Sequence, residues 1–279
     1  MAIGELIVFA VGALRGHRLR TALSVAGVAV GIAAVIALTS LGEGARRYVI
    51  QEFSSLGTNL LIVLPGKVET TGAMPFGGVV NDLTIDDFRA VATRLPIVLR
   101  AAPLATGEEK LRYSGLARSV SVIGTTHELL EVRQFQVGSG QFLPIRDPDQ
   151  GGSEIVLGVK VAEEIFGSAN PLGEVVRLGE WRFRVVGVLA PRGRSLGFNF
   201  DEVVYIPART AMRVFNRASL FRILVELPPD ADLEIAKEQV LDLLTERHRT
   251  EDVTVITQDA VVSTLDSILG VLTLALAAI

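Results

Sequence analysis

Residues 21–42, TALSVAGVAVGIAAVIALTSLG, carry no charged side chain and consist mostly of Ala, Val, Ile, Leu and Gly. An apolar helix of about 20 residues rises roughly 30 Å, which is the thickness of the hydrocarbon core of a bilayer. A lone segment in lipid can satisfy its backbone hydrogen bonds only as a helix. The sequence therefore predicts a first transmembrane helix over residues 21–42.

Small residues form a strip along this span. Gly27 and Gly31 make a G-x-x-x-G pair, and Ala34 extends it. Such a strip lets a second helix approach closely, so we predict helix packing at these three residues. The alternative is that glycines are simply common in membrane helices. A cleaved signal peptide is an alternative for the whole span, but its apolar run is longer than the usual signal-peptide core of about 7 to 15 residues.

The flanks of the span suggest its orientation. Residues 1–16 are apolar but too short to cross a bilayer, so residues 1–20 are predicted to form a cytoplasmic interfacial helix. Arginines stand on both sides of the span, with the larger number before it: Arg15, Arg18 and Arg20, against Arg46 and Arg47. This count favours a cytoplasmic N-terminus and a core domain outside the cell membrane. Apolar residues at helical spacing in 43–57 predict a helical stalk.

Composition excludes several classes of function. The 279 residues have a net charge of −4 with mixed signs throughout, which does not fit a nucleic-acid-binding surface. There is no cysteine, so disulfides, thiolate metal sites and a cysteine nucleophile are excluded.

Residues 58–262 alternate short strands with helices, which is typical of an α+β domain. The strand 58–64, a helix starting after Thr84 and the strand 97–103 form a βαβ-like unit. Thr84 and Asp232 are predicted helix N-caps, and Thr125 with Glu128 is predicted to form a capping box.

Two loops carry aromatic or apolar side chains that are candidates for contact with a partner. Met74 and Phe76 lie in the Gly- and Thr-rich loop 66–82, for which disorder is the alternative. Phe198 and Phe200 lie in the loop PRGRSLGFNFD, where folding back onto the core is the alternative.

Residues 267–279, SILGVLTLALAAI, are again apolar and uncharged. They are too few to cross a bilayer, so residues 263–279 are predicted to be the incomplete start of a second transmembrane helix.

The sequence offers no catalytic, cofactor-binding or metal-binding residues. His17, His127 and His248 are far apart, and the segment after His127 lacks the second histidine of a zinc H-E-x-x-H motif. A G-x-x-x-x-G-K-[ST] phosphate loop is missing, so the chain is not expected to hydrolyse ATP, and ATP is expected to act through a partner subunit. A membrane-anchored hydrolase would need a nucleophile and a base that the sequence does not show.

An ordered set of motifs resembles the MacB-like permeases of ABC exporters, a family that also includes the Lol and FtsX-like permeases. The motifs are LRTALSVAGVAVGIAAVIAL from Leu19, LGEGA from Leu41, LGTNLLIVLPG from Leu56, NPLG from Asn170, VVGVLAPRG from Val185 and DEVVYIP from Asp201. Each motif alone is modest, but together they cover nearly the whole chain in the family's order.

The resemblance implies a fold and a set of partners. It implies a transmembrane α-helix followed by an α+β extracytoplasmic core, in which a βαβ porter-like part is interrupted by an inserted mixed α/β subdomain at about residues 107–216. It implies a permease subunit in the cell (inner) membrane, with the core periplasmic or extracellular. The implied partners are an ABC ATPase subunit, a second permease copy in a homo- or heterodimer, the lipid bilayer and, in envelopes with two membranes, a periplasmic adaptor protein.

This sequence departs from the family pattern in stopping within the second predicted helix, so the FtsX-like C-terminal membrane region is expected to be missing. We interpret the chain as an ABC exporter permease in which motion driven by a partner ATPase is passed to the outer domain, which moves substrate for efflux. The alternative from another class is a membrane-anchored extracytoplasmic binding or signalling domain without an ATPase partner.

Overall fold

The computed structural model describes residues 18–54, 59–66, 81–195 and 198–257. The chain divides into two compact units, with the boundary between Ile50 and Gln51. The first unit holds most of one long helix, and the second holds a mixed α/β core. The described residues therefore confirm the predicted fold class, an N-terminal apolar helix followed by an α+β core.

The described chain contains these helices: α1 (Arg18–Ser54), α2 (Ile85–Arg94), α3 (Leu129–Val132), α4 (Val159–Phe166), α5 (Ala208–Val214) and α6 (Leu233–His248). Its strands are β1 (Leu60–Pro65), β2 (Arg100–Tyr113), β3 (Leu116–Thr125), β4 (Val137–Gly140), β5 (Glu154–Leu157), β6 (Val175–Leu178), β7 (Trp181–Leu189), β8 (Arg194–Ser195), β9 (Phe198–Asn199), β10 (Val203–Pro207), β11 (Arg222–Glu226) and β12 (Val253–Thr257). A 3₁₀ turn spans Phe200–Glu202.

Helix α1 is continuous over 37 residues and includes the whole predicted span. No proline interrupts this helix. Within its apolar segment, the hydroxyl of Thr39 donates a hydrogen bond to the backbone carbonyl of Val35 at 2.9 Å. The helix therefore leaves no unpaired polar group at Thr39 that would oppose burial in lipid.

The largest described sheet has ten strands, in the order β12-β1-β11-β2-β3-β10-β5-β7-β4, with β6 pairing to β2 and β7. Strand β1 is antiparallel to β11, and β11 is antiparallel to β2, so β1 and β2 are parallel with β11 between them. The predicted βαβ-like unit of strand, helix and strand is thus present as a split unit. Its central strand comes from much later in the chain.

Strand β2 joins the two parts of this sheet. Its first residues, Arg100 to Leu104, pair with β11, and its later residues, Ala105 to Tyr113, pair with β3. The two-residue turn between β2 and β3 has positive φ at Ser114 and Gly115, which is the geometry that matches the twist of paired strands. The sequence predicted the strand at 97–103 and missed its continuation, because the second half of β2 is polar on its exposed face.

One face of the sheet is covered by α2, α4, α5 and α6. Phe88 and Val91 of α2 and Val240 and Leu244 of α6 are buried against alternate residues of β1, β11 and β12. Helix α5 lies so close to β3 that a Cβ added at Gly124 would meet the Cβ of Ala211 at 2.1 Å. Gly124 is therefore needed for this close approach of helix and strand.

The opposite face holds a second apolar cluster beneath α3 and the loops that follow it. Its members are Leu60, Ala102, Leu104, Ile123, Leu129, Val132, Phe135, Phe142, Leu143, Val156, Leu189, Phe200, Val203, Tyr205 and Leu224. Alternation along each strand separates the two clusters, as in β10, where Val204 and Ile206 face the helices and Tyr205 faces α3.

Two of the three predicted N-caps are confirmed. Thr84 accepts a hydrogen bond from the backbone of Asp87, whose side chain bonds back to Thr84, and Asp232 caps α6. The capping box at Thr125 and Glu128 is wrong. Thr125 is the last residue of β3, Glu128 occupies the N-cap position of α3, and no side chain caps that helix. Sheet pairing of Thr125 with Pro207 holds it in an extended strand instead.

A buried cluster of charges ties α2, α6 and the start of β12 together. We call Asp87, Arg247, His248 and Asp252 the carboxylate clamp. Asp87 accepts from Arg247 Nε at 2.8 Å and lies 3.2 Å from His248 Nε2, while His248 Nδ1 lies 2.7 Å from Asp252. Asn81 Nδ2 also donates to Asp252 at 2.7 Å.

The clamp shifts the ionisation of its members. Burial alone would raise the pKa of Asp87, but hydrogen bonds from Thr84, Arg247 and His248 hold that pKa below its ordinary value. Burial opposes the charge on His248, yet its bonds to Asp252 and Asp87 raise its pKa above the ordinary value. Likewise, His248 and Asn81 lower the pKa of Asp252 despite its burial.

The clamp predicts a pH dependence of stability. The raised pKa of His248 contributes stability below about pH 6.5 that is lost as pH rises through the folded-state pKa. The lowered pKa values of Asp87 and Asp252 contribute stability above about pH 4 that is lost as pH falls through theirs. We expect His248→Gln to lower the free energy of unfolding by about 2 kcal/mol near pH 5.5, measured by urea denaturation, and by less at pH 9.

His127→Gln is the matched control, since the His127 ring contacts the backbone carbonyl of Leu143 at 2.7 Å rather than a carboxylate. It removes a histidine from the same core without removing a contact to a carboxylate, so the effect of His248→Gln at each pH is compared with it. A His248→Gln effect that does not shrink at pH 9 would contradict the charge contribution of the clamp.

Candidate functional site

The apolar part of α1 meets the length and composition of a membrane helix. It runs from Leu19 to Gly44, 26 residues, and none of it is buried within the protein. At 1.5 Å per residue this is about 39 Å, more than a hydrocarbon core requires. Its large apolar side chains are exposed around the helix, as at Leu23, Val28 and Ile32. Such a surface is expected to lie against lipid or other helices rather than water.

The predicted packing strip is open in the structure. Gly27 and Gly31 lie one turn apart, and a Cβ added at either would meet no atom of the described residues within 4 Å. Ala34 is also exposed among these residues. The described part of the chain therefore does not cover the strip, and packing there stays a prediction.

The chain enters and leaves the core at the same end of two neighbouring strands. Strands β1 and β12 are antiparallel partners, with Leu61 opposite Thr257 and Pro65 opposite Val253. The start of β1, which follows α1, therefore lies beside the end of β12, which leads toward the apolar residues 267–279. Those last residues lie outside the described part of the chain.

The start of β1 is fixed to the neighbouring strand by Asn59. Its backbone adopts a left-handed conformation with φ of 63°, which Asn tolerates better than most residues. Its Nδ2 donates to the carbonyl of Pro228 at 2.7 Å, and its own carbonyl accepts from the Leu227 amide at 3.0 Å. Because Leu60 and Leu61 behind it are buried, a displacement of Asn59 would be passed to the sheet.

The other end of the strand pair is fixed as well. The Gly66 amide donates to the carbonyl of Asp252 at 2.7 Å, and the Thr254 hydroxyl donates to the carbonyl of Gly66 at 2.6 Å. Since Asp252 belongs to the carboxylate clamp, this end of β1 and β12 is bonded to α2 and α6. The strand pair is thus held at both ends.

The candidate contact residues fall in different places. Met74 and Phe76 lie outside the described residues, as does the side chain of Phe198, whose backbone forms part of β9. Phe200 is buried, and its ring packs edge-on against Phe135 at 5.5 Å between centroids. The alternative of folding back onto the core is therefore the correct one for Phe200, because its aromatic surface is used in the cluster beneath α3.

The histidines also have separate surroundings. His127 contacts a backbone carbonyl, His248 belongs to the clamp, and His17 lies outside the described residues. Within the described ranges, no group of three His, Cys, Asp or Glu side chains is placed to hold a metal ion.

The fold and the sequence are similar to those of known proteins. The family model described as the MacB-like periplasmic core domain matches residues 21–243. The chain belongs to this family. Its match to a family whose description names a periplasmic core, together with the apolar helix α1, fits a membrane-anchored protein.

Curated relatives are named macrolide export ATP-binding/permease protein MacB. The protein of Chlorobium luteolum is 33% identical over 85% of this chain, and MacB 1/2 of Paracoccus denitrificans is 30% identical over 99% of it. These matches cover 36% and 41% of the relatives. The chain thus spans about two fifths or less of their length.

Two solved structures share the fold of the core. The periplasmic region of MacB from Actinobacillus actinomycetemcomitans has a TM-score of 0.66 at 20% identity, covering 78% of this chain and 97% of that one. The extracellular domain of the noncanonic ABC-type transporter YknZ from Gram-positive bacteria has a TM-score of 0.59 at 20% identity, covering 71% and 100%.

Sequence reasoning missed the strand pair and the clamp. The residues that build them are distant along the chain, since Asp87 and Arg247 are 160 positions apart. The local signal for the clamp is His248 followed by Asp252 four residues later, just past the end of α6, and a basic residue there is also favoured by the helix dipole.

The open strip on α1 predicts a helix contact. Replacing both Gly27 and Gly31 by Ile should weaken self-association of the chain, or its pairing with a partner helix, because the branched side chains keep backbones apart. Cross-linking in membranes or detergent measures this association. The matched control replaces Ala29 and Ala33 by Ile, which have the same spacing on the opposite side of the helix. If both double variants associate as strongly as the unmodified chain does, packing at the strip is contradicted.

Proposed function

We propose that this chain forms the first transmembrane helix and the extracytoplasmic core of an exporter permease whose motion is driven by a partner ABC ATPase. The observation that carries the proposal is the adjacency of Leu61 and Thr257, which brings both connections of the core to one end of two hydrogen-bonded strands. A change in the relative position of the flanking helices would therefore act on one strand pair. The names of the curated relatives, which combine ATP binding and permease, support the link to an ABC ATPase.

The sheet offers a stiff route for such motion. Strand β1 is bonded on both sides, to β12 and β11, and β11 is bonded to β2. At 3.3 Å per residue the 14 residues of β2 extend about 46 Å, from the β11 side of the sheet into the part built on β3. Displacement of the strand pair would move both parts of the sheet together, since shear of antiparallel strands would break their hydrogen bonds.

The proposal includes partners and an orientation. ATP is bound and hydrolysed by the partner subunit, and a second permease copy packs against α1 through the strip of Gly27, Gly31 and Ala34. A periplasmic adaptor protein completes the assembly in envelopes with two membranes. The arginines that precede the span, among them Arg18 and Arg20, support a cytoplasmic N-terminus by the positive-inside rule.

The orientation predicts a labelling pattern. The chain has no cysteine, so a single introduced cysteine reports on one position. In spheroplasts, a membrane-impermeant maleimide should label Ser119→Cys, at an exposed position of β3. Gly16→Cys, which keeps the arginines before the span, should be labelled only after the membrane is disrupted. The reverse pattern would contradict the proposed topology.

Coupling to an ATPase predicts a response of the strand pair to nucleotide. The chain with Ile62→Cys, at a half-exposed position opposite Ile256, is labelled with an environment-sensitive fluorophore and purified with a co-expressed ABC ATPase from the same cells. ATP or a non-hydrolysable analogue should change the emission, and ADP should not.

The same probe on the chain without the ATPase is the control, and its emission should not respond to ATP. Failure of any ABC ATPase of the same cells to co-purify would favour the membrane-anchored binding or signalling domain. Co-purification with an unresponsive probe would contradict transmission through β1 and β12.

A further inference from the structure

Three arginines gather on the sheet face beneath α3. Arg133 follows the end of α3, Arg192 follows β7, and Arg222 begins β11. Burial, and then the charges of Arg222 and Arg192, lower the pKa of Arg133 to about 10. No carboxylate of the described residues forms an ion pair with Arg133 or Arg222, although the other described ion pairs are numerous. The charge of this arginine cluster is therefore uncompensated at Arg133 and Arg222.

Polar atoms beside the arginine cluster also lack partners. Tyr205 is fully buried, its hydroxyl has no hydrogen-bond partner among the described residues, and the charges of Arg133 and Arg192 act on it. The Nε of Arg222 is likewise buried without an acceptor in the described part of the protein. Buried donors usually have acceptors, so two such atoms beside uncompensated charge indicate a missing acceptor.

Arg192 of the arginine cluster lines a cavity of about 240 Å³, somewhat smaller than the roughly 300 to 1,000 Å³ of typical ligand pockets. Its lining includes Phe135, Leu189, Pro191, Arg192 and Phe200. The Arg192 guanidinium lies over the Phe135 ring at 5.0 Å and near the Phe200 ring at 5.8 Å, and it donates to the carbonyl of Arg133. Arg192 thus connects the cavity to the rest of the cluster.

Asp201 is the acid that lines this cavity, and its carboxylate is already used. One oxygen accepts from the Arg192 amide at 2.8 Å and the other from the Gly193 amide at 3.0 Å. It fixes the backbone of this loop rather than neutralising Arg133 or Arg222. Among the described residues no carboxylate compensates these two charges, so an external acceptor is a candidate for that role.

We propose that the arginine cluster binds the acidic group of a small soluble oxyanion, a carboxylate or a phosphate, whose remaining atoms occupy the cavity beside Phe135. A planar guanidinium presents paired donors that match either group, and the low polarity beneath α3 strengthens charge-assisted hydrogen bonds. The aromatic walls suit an apolar or planar ligand body. This site does not depend on the proposed coupling to an ATPase.

The test measures thermal unfolding of the full chain in detergent with sodium phosphate or sodium acetate, each against sodium chloride at equal ionic strength. A ligand at about 100 times its Kd should raise Tm by roughly 5 to 10 °C. Because phosphate also stabilises proteins by exclusion from their surface, the decisive quantity is the rise that Arg133→Met loses. Arg182→Met, at an exposed position of β7, is the matched control and should keep the full rise.

The same variant distinguishes a binding role from a structural one. Without oxyanion, Arg133→Met should unfold at the same temperature as the unmodified chain or higher, because it removes an uncompensated charge from a partly buried site. If that variant does not fold, Arg222→Met and calorimetric titration of the unmodified chain with phosphate and with acetate take its place. A rise in Tm with either anion that Arg133→Met loses and Arg182→Met keeps supports the site. The proposal is overturned if neither anion raises Tm, or if the rise in Tm is equal in Arg133→Met and Arg182→Met.

Discussion

The hydrogen-bonded pairing of β1 with β12 is the constraint on which the arrangement of the core depends. Antiparallel pairing in a fixed register places Leu61 opposite Thr257, so the first and last described strands of the core share one end. A shift of register by one residue would turn the buried Leu61 and Val63 toward the other face, which makes the register costly to change. The same pairing makes β1 an interior strand, hydrogen-bonded to β12 on one side and to β11 on the other.

The charged side chains on the two faces of the sheet differ in whether they have partners of opposite charge. On the helix-covered face, Asp87, Arg247, His248 and Asp252 satisfy one another, and removal of one member would leave a buried charge without its partner. Beneath α3, Arg133 and Arg222 have no such partners in the described chain. Charged groups on both faces are at least partly buried, and the contrast between the faces is one of compensation. A satisfied cluster fixes structure, whereas an unsatisfied one of a single sign is suited to a ligand of the opposite sign.

The sequence was informative where structure is decided locally. The apolar span needs only its own composition, and the caps at Thr84 and Asp232 need only the residues of the next turn. Local reasoning failed at Thr125, because its pairing with Pro207 of a distant strand keeps it extended. It failed for Phe200 as a contact residue, because the neighbours that bury it, Phe135 and Tyr205, come from other elements. The carboxylate clamp and the pairing of β1 with β12 join residues from opposite ends of the core, which no local pattern encodes.

The position of β11 would connect the proposed motion of the strand pair with the proposed oxyanion site. β11 lies between β1 and β2, with its end fixed to Asn59 through Leu227 and Pro228 and its first residue, Arg222, in the arginine cluster. The strand therefore connects the start of β1 to the cluster through covalent bonds and sheet hydrogen bonds alone. An oxyanion bound at Arg222 and a displacement at Asn59 would act on the two ends of the same five-residue strand. Since strands bonded on both sides move as units, ligand binding and motion of the flanking helices would be linked, and by thermodynamic reciprocity each would affect the other equally.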